Sequence, residues 1–148
     1  METMQAFNKT IRYIESVLDS EIDEKKVAHL STYSYAMFSR LFSIVTNMTL
    51  GEYIRLRRLS RAAIEIRESS TRIIDIAMKY GYESSDAFTN AFKNFHDGTP
   101  TEVRNGKPYR LISPIHLAIT VRGGKQMDVK IQRKEDIHLV GVKLENID

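Results

Sequence analysis

Apolar residues recur at helical spacing through the first hundred positions and alternate after them. Phe7, Ile11, Ile14, Val17 and Leu18 share one face of a first helix, over about residues 5–19. Asp23 is a good N-cap for a short second helix over about 24–30. Ser31-Thr32-Tyr33-Ser34 is a polar break. Ser34 then caps a third helix over about 35–46, with Met37, Phe38, Leu41, Phe42 and Val45 on its buried stripe. Thr49 caps a longer helix that runs to about Glu68, and Ser69-Ser70-Thr71 breaks it. Ile73, Ile74, Ile76, Ala77 and Tyr80 make a fifth helix. Gly81 supplies the turn, because it accepts positive φ at little cost. Ser84 or Ser85 caps a sixth helix that buries Phe88, Ala91, Phe92 and Phe95. Asp97-Gly98 ends it, and Pro100 opens a last turn near 101–104.

One pattern occurs twice along this stretch. Ala28, Tyr33, Phe38, Phe42 and Thr49 return as Ala77, Tyr82, Phe88, Phe92 and Thr99. The Ala and Tyr pairs are offset by 49 positions and the Phe and Thr pairs by 50, so the second turn holds one extra residue. A short helix, a tight turn and a second helix anchored by two Phe one turn apart is the pattern of a helix-turn-helix. Its repetition sets the architecture before any local assignment.

After Arg104 the period changes. Asn105-Gly106-Lys107-Pro108 opens a linker, taken as 105–113. Ile115, Leu117, Ile119 and Val121 alternate with polar or small residues, Gly123-Gly124 makes a hairpin turn, and Val129 and Ile131 continue the alternation. Ile137 to Leu144 reads as a third strand. The expected organisation is a helical module over 5–104, the linker, and a β segment over 114–148. Strands so few must dock on the helices, pair with another chain, or be the start of a domain cut short. The second outcome would make a homodimer through the tail.

Composition narrows the function. The chain has 148 residues, 42% hydrophobic and 28% charged, ordinary for a soluble globular protein. No apolar run is long enough to span a bilayer, and the first residues lack a secretory signal, so no membrane partner is expected and a cytoplasmic location fits. The absence of Cys excludes disulfides and thiolate zinc sites. His29, His96, His116 and His138 show no metal-ligand spacing, and no nucleophile elbow or phosphate loop appears. No catalytic residue, metal or cofactor is expected. The net charge of +3 is modest, and acidic and basic residues cancel up to Arg104. Any case for nucleic acid must therefore rest on where the charges lie.

If the paired Phe residues face the core, the opposite faces are open to DNA. In the first motif that face is Tyr35, Ala36, Ser39, Arg40 and Ser43. In the second it is Ser85, Asp86, Thr89, Asn90 and Lys93. These side chains suit base edges: Arg for guanine, Asn for adenine, Asp for the cytosine amino group, small groups for the thymine methyl. Within these two faces, phosphate contact is expected of Tyr35, Ser43 and Lys93. The connecting helix carries Arg55, Arg57, Arg58 and Arg61 with no acidic residue between Glu52 and Glu65. Arg55, Arg58 and Arg61 are further phosphate candidates. Arg57 either joins them or forms a structural ion pair with Glu24 or Asp75.

Taken together, these residues resemble the AraC/XylS family of bacterial transcription regulators. The resemblance covers about residues 7–104. It rests on Ile76-Ala77, Gly81-Tyr82-Glu83-Ser84, Phe88, Phe92-Lys93, Gly98, Pro100 and Arg104 in the second motif. In the first it rests on Ser34, Phe38-Ser39-Arg40-Leu41-Phe42, and Tyr53-Ile54-Arg55 with Arg57. It implies a mainly α fold: a seven-helix module with two helix-turn-helix motifs joined by a long helix, here followed by a short β-hairpin-rich tail. It also implies double-stranded DNA and RNA polymerase as partners, and places base contacts on Ala36, Ser39 and Arg40 in the first motif and on Ser85, Asp86, Thr89 and Asn90 in the second. Asn47 stands where the family often has Gly, Val103 where it often has an aromatic, and Ala36 where some members have a large side chain. The tail from about Pro114 resembles the opening of a GyrI-like effector-binding domain. That domain is far longer, so no small-molecule effector is expected for this stretch alone. Two other readings remain open: a protein–protein module contacting RNA polymerase or another regulator, and a non-specific DNA-coating protein, against which the neutral helical region argues.

Overall fold

A computed structural model describes residues 2–122, 126–133 and 138–140, with side chains over 3–118. Seven helices precede four strands among these residues: α1 (Glu2–Ser16), α2 (Glu24–Ser31), α3 (Tyr35–Thr46), α4 (Leu50–Glu68), α5 (Ile73–Lys79), α6 (Ser85–His96), α7 (Pro100–Arg104), β1 (Tyr109–Leu111), β2 (Ile115–Arg122), β3 (Gln126–Arg133) and β4 (His138–Val140). The helix starts follow from side-chain caps. Asp23 accepts from the backbone N–H of Lys25, Ser34 from Met37, Thr49 from Glu52 and Ser84 from Ala87, each satisfying a donor that has no partner within its helix. Thr99 and Glu102 close a capping box at α7.

The chain divides into two compact units. Of the described residues, one comprises 2–17, 22–53, 114–122 and 126–133; the other comprises 18–21, 54–113 and 138–140. In the first unit Phe7, Ile11 and Ile14 of α1 are buried, and Phe7 meets Phe38 and Phe42 at ring-centroid distances of 5.3 and 6.0 Å. Tyr53 closes that cluster, 5.2 Å from Phe42. In the second unit Leu59, Ala62, Ala63 and Ile66 of α4 form one core with Ile76, Ala77, Tyr80, Phe88, Phe92, Val103 and Tyr109. Ala77 is fully buried where the helices cross, whereas Ala28 is only half-buried.

The segment expected to be a linker is part of the fold. β1 lies inside it, and Tyr109 and Ile112 are each 2% exposed. The physical reason is a set of buried polar side chains that take the place of a neighbouring strand. In the second unit, His96 Nδ1 accepts from Arg110 N–H at 3.1 Å and Ser60 Oγ from Ile112 N–H at 3.0 Å, while Arg57 donates to the Ile112 carbonyl. In the first, the Tyr53 hydroxyl accepts from Ile115 N–H at 3.1 Å. The Asn8 amide both donates to the Leu117 carbonyl (3.0 Å) and accepts from its N–H (2.8 Å). Buried backbone groups must be paired, and here side chains from helices pair them.

In the described part of the strands, Ile115 and Leu117 are buried and β2 docks against α1. β2 pairs antiparallel with β3 from Ile115↔Arg133 to Arg122↔Gln126, and β1 with β4 from Tyr109↔Val140 to Leu111↔His138. The Gly123-Gly124 turn, the side chains of Ile119, Val121, Val129 and Ile131, and the third-strand residues beyond Val140 lie outside the described residues.

Candidate nucleic-acid interface

The second helix of the first motif, α3, is held by Phe38 (1% exposed) and Phe42 (0%). One full turn separates them, so the face opposite is fixed by geometry. That face is Ala36, Met37, Arg40 and Ile44, all exposed. Arg40, one of the residues expected on the open face, lies at its centre. Met37 was expected in the core and is instead 44% exposed, and Ile44, which the periodicity left unassigned, is 68% exposed. A residue one position before a buried Phe is rotated about 100° from it, far enough to leave the apolar stripe. Tyr35, Ser39 and Ser43 are half-buried flankers, and Ser43 Oγ donates back to the Ser39 carbonyl at 3.1 Å.

The second helix of the second motif, α6, is anchored by Phe88 and Phe92, both fully buried, with Tyr82 edge-on to Phe88 at 5.2 Å. Its exposed residues are Ser85, Asp86, Ala87, Asn90, Lys93 and Asn94, with Thr89 half-buried. The five residues expected there therefore do share one solvent-facing side.

Both turns use the left-handed backbone region. Thr32 (φ 68°) and Gly81 (φ 89°) are offset by 49, while the caps Ser34 and Ser84 are offset by 50. The extra residue of the second turn therefore falls between the left-handed residue and the cap. Asn47 and Asp97 end α3 and α6 at φ 61° and 59°. That conformation is tolerated by Asn and Asp better than by other side chains with a Cβ.

The arginines of α4 separate into distinct roles. Arg57 is 8% exposed and bound to Ile112, so it serves the fold. Asp75, one of its foreseen partners, is held by Arg72 at 2.9 Å. Arg58, expected at phosphate, commits Nε to the Leu18 carbonyl and Nη2 to the Ser20 carbonyl, both at 2.8 Å, and so ties down the residues after α1. It also lies beside the second turn: a Cβ on Gly81 would stand 3.9 Å from its Nη1. Burial raises the Tyr82 hydroxyl above its ordinary pKa, opposed by the charges of Arg55 and Arg58. Arg55 is exposed and Arg61 half-buried. Burial alone would raise Glu65, but hydrogen bonds from Lys79 and Tyr80, both 2.7 Å, together with the charges of Lys79 and Arg61, hold it below the usual carboxylate range.

Sequence reasoning missed His96, Ser60 and Asn8, whose partners lie 14 to 109 positions away in the chain. His96 is 2% exposed, its Nε2 is 2.9 Å from the Leu59 carbonyl, and burial pushes its pKa down to about 4. Since Nδ1 accepts from a backbone N–H, the Nε2 nitrogen carries the proton. Among the described residues, no cluster of His, Asp or Glu could hold a metal ion, and no helix is long and apolar enough to cross a membrane.

Two helix-turn-helix units with solvent-facing second helices define the class. A family model described as a helix-turn-helix domain matches residues 27–106. The regulatory protein SoxS of Salmonella typhimurium is 40% identical over 105 residues, covering 71% of this chain and 98% of SoxS. The chain belongs to the AraC-type helix-turn-helix family of transcription regulators. Two solved structures share the fold. An AraC-type regulator from Chromobacterium violaceum has a TM-score of 0.62 at 22% identity, covering 68% of this chain and 90% of its own. The DNA-binding domain of AdpA, solved in complex with a target DNA, has a TM-score of 0.59 at 18% identity, with the same coverage of both chains.

Proposed function

We propose that this chain is a sequence-specific transcription regulator that reads two successive major grooves of duplex DNA, one with α3 and one with α6. The observation that carries the reading is the duplicated motif, whose second helices are both anchored by buried Phe pairs and both expose a face. Ala36, Ser39 and Arg40 read bases in one groove, and Ser85, Asp86, Thr89 and Asn90 in the next. Tyr35, Ser43, Arg55, Arg61 and Lys93 contact phosphate, which positions the chain without specifying sequence. Single-motif repressors dimerise to cover two half-sites, whereas one chain here carries both readers and binds as a monomer. RNA polymerase is the second macromolecular partner of this reading. The β segment from Pro114 resembles a GyrI-like module, tied to the helices through 109–118.

Selection of bound duplexes from random DNA by the full chain tests this. An asymmetric site of roughly two helical turns, bound one to one, is expected. Lys93→Ala should weaken all duplexes alike and lower the salt slope by about one. Absence of any enriched duplex, or binding strictly dependent on dimer formation, overturns the proposal.

A further inference from the structure

Among the described residues the exposed large hydrophobics are Tyr33, Met37, Ile44 and Met78, and three of these four belong to the first motif. Met37 and Ile44 stand on either side of Arg40, three positions before it and four after. Those are the spacings of neighbours along one helix face. The row spans seven residues, about 10 Å at 1.5 Å per residue, close to three base steps at about 3.4 Å each. At the matching positions of α6, offset by 50, stand Ala87 and Asn94, one small and one polar.

In the major groove the only apolar base-edge feature is the 5-methyl group of thymine, while guanine offers two acceptors that fit an arginine fork. We propose that Met37 and Ile44 read thymine methyl groups on the two sides of the base pair taken by Arg40. This inference rests on the DNA-reading role of α3. The first half-site then contains a guanine flanked by thymines, read by one charged fork between two apolar contacts, beside the bases read by Ala36 and Ser39. The second half-site is read by hydrogen bonds from Asp86, Thr89 and Asn90. The occupant of the exposed apolar row is thus the duplex itself. Arg40 at its centre favours an anionic, acceptor-bearing partner, and both apolar residues lie within the face opposite Phe38 and Phe42.

Uracil differs from thymine only by the missing methyl, so single thymine-to-uracil replacement in the selected duplex is the test. With the full chain, two positions flanking the Arg40 base pair should each bind about fourfold more weakly as uracil, the worth of one buried methyl-sized group. Met37→Ala should abolish the uracil effect at one of them and Ile44→Ala at the other. Both residues are exposed, so both variants should melt as the parent does. Uracil replacement that is silent throughout the first half-site overturns the inference. So does a loss in either variant that is equal on thymine and uracil duplexes, as a protein-binding role for the row would give. If uracil is silent while Arg40→Ala still relaxes one base position, the inference fails and the DNA-reading role stands. If no duplex is enriched at all, both fall.

Discussion

α3 and α6 each have 12 residues, a Ser cap accepting from a backbone N–H at 3.1 Å, two buried Phe and a left-handed residue at the end. Opposite the core, however, α3 exposes Ala36, Met37, Arg40 and Ile44, whereas α6 exposes Asp86, Ala87, Asn90, Lys93 and Asn94. The two copies agree where backbone and core impose a requirement and differ where only solvent or a ligand does. They differ also beneath the reading helix. Thr46 closes its turn locally, donating to the Phe42 carbonyl at 2.8 Å and accepting from Met48 N–H at 3.2 Å. At the matching position, His96 reaches instead to Leu59 and Arg110. The first unit secures its helix with neighbours in sequence, and the second with a buried imidazole bridging distant elements.

The shared scaffold is broken most directly by its anchors. Phe38→Ala and Phe88→Ala should each cost about 3–5 kcal/mol, through lost burial and the cavity left behind. Amide exchange should accelerate first in the unit that carries the substitution. Equal acceleration in both units would show that they do not open separately.

Acid sharpens the contrast. The unfolded His96 imidazole titrates near 6.5 and the folded one near 4, so the unfolded chain takes up the proton first. The stability contribution is therefore complete above about pH 6.5 and is lost as pH falls towards 4. Over that window the loss is about 3 kcal/mol, from roughly 1.36 kcal/mol per pKa unit. Urea titrations at pH 7.5 and 4.5 should show it in the parent, and His96→Gln should remove the His-dependent part. An unchanged pH slope in that variant would place the acid sensitivity elsewhere.

The turns should respond in opposite directions, and by the least. Thr32 is a β-branched residue at φ 68°, so Thr32→Gly should stabilise by about 1 kcal/mol, whereas Gly81→Ala at φ 89° should destabilise by about 1–2 kcal/mol. Thermal melts of the two variants check the pair of signs. A loss on Thr32→Gly would mean that the threonine side chain contributes more than its backbone strain costs.

Much of this was legible in the sequence because the signals are local. Caps at Asp23, Ser34, Thr49 and Ser84, the glycine turn at Gly81 and the doubled Phe spacing are read within a few residues of where they act. The tie between the helices and residues 109–118 was not. Asn8 and Leu117 meet across 109 positions, and nothing near Asn8 distinguishes it from a solvated asparagine. Asn105-Gly106 and Pro108 do read as a break, but Tyr109 and Ile112, buried just beyond, made the linker part of a core. On α3 the apolar count misled. Five apolar residues were assigned to one stripe, yet Met37 lies too far round the helix to join Phe38 and Phe42. The signal that would have separated it is the Met37–Arg40–Ile44 row.

The claim that one scaffold carries two different readers is tested most directly by selecting sites with both half-sites randomised, using the parent chain, Arg40→Ala and Asn90→Ala. Each variant is expected to relax preference at one position, at a cost of about 1–3 kcal/mol there, with the two positions in opposite half-sites and only the Arg40 position flanked by thymines. Relaxation at the same position in both variants, or in neither, would contradict it.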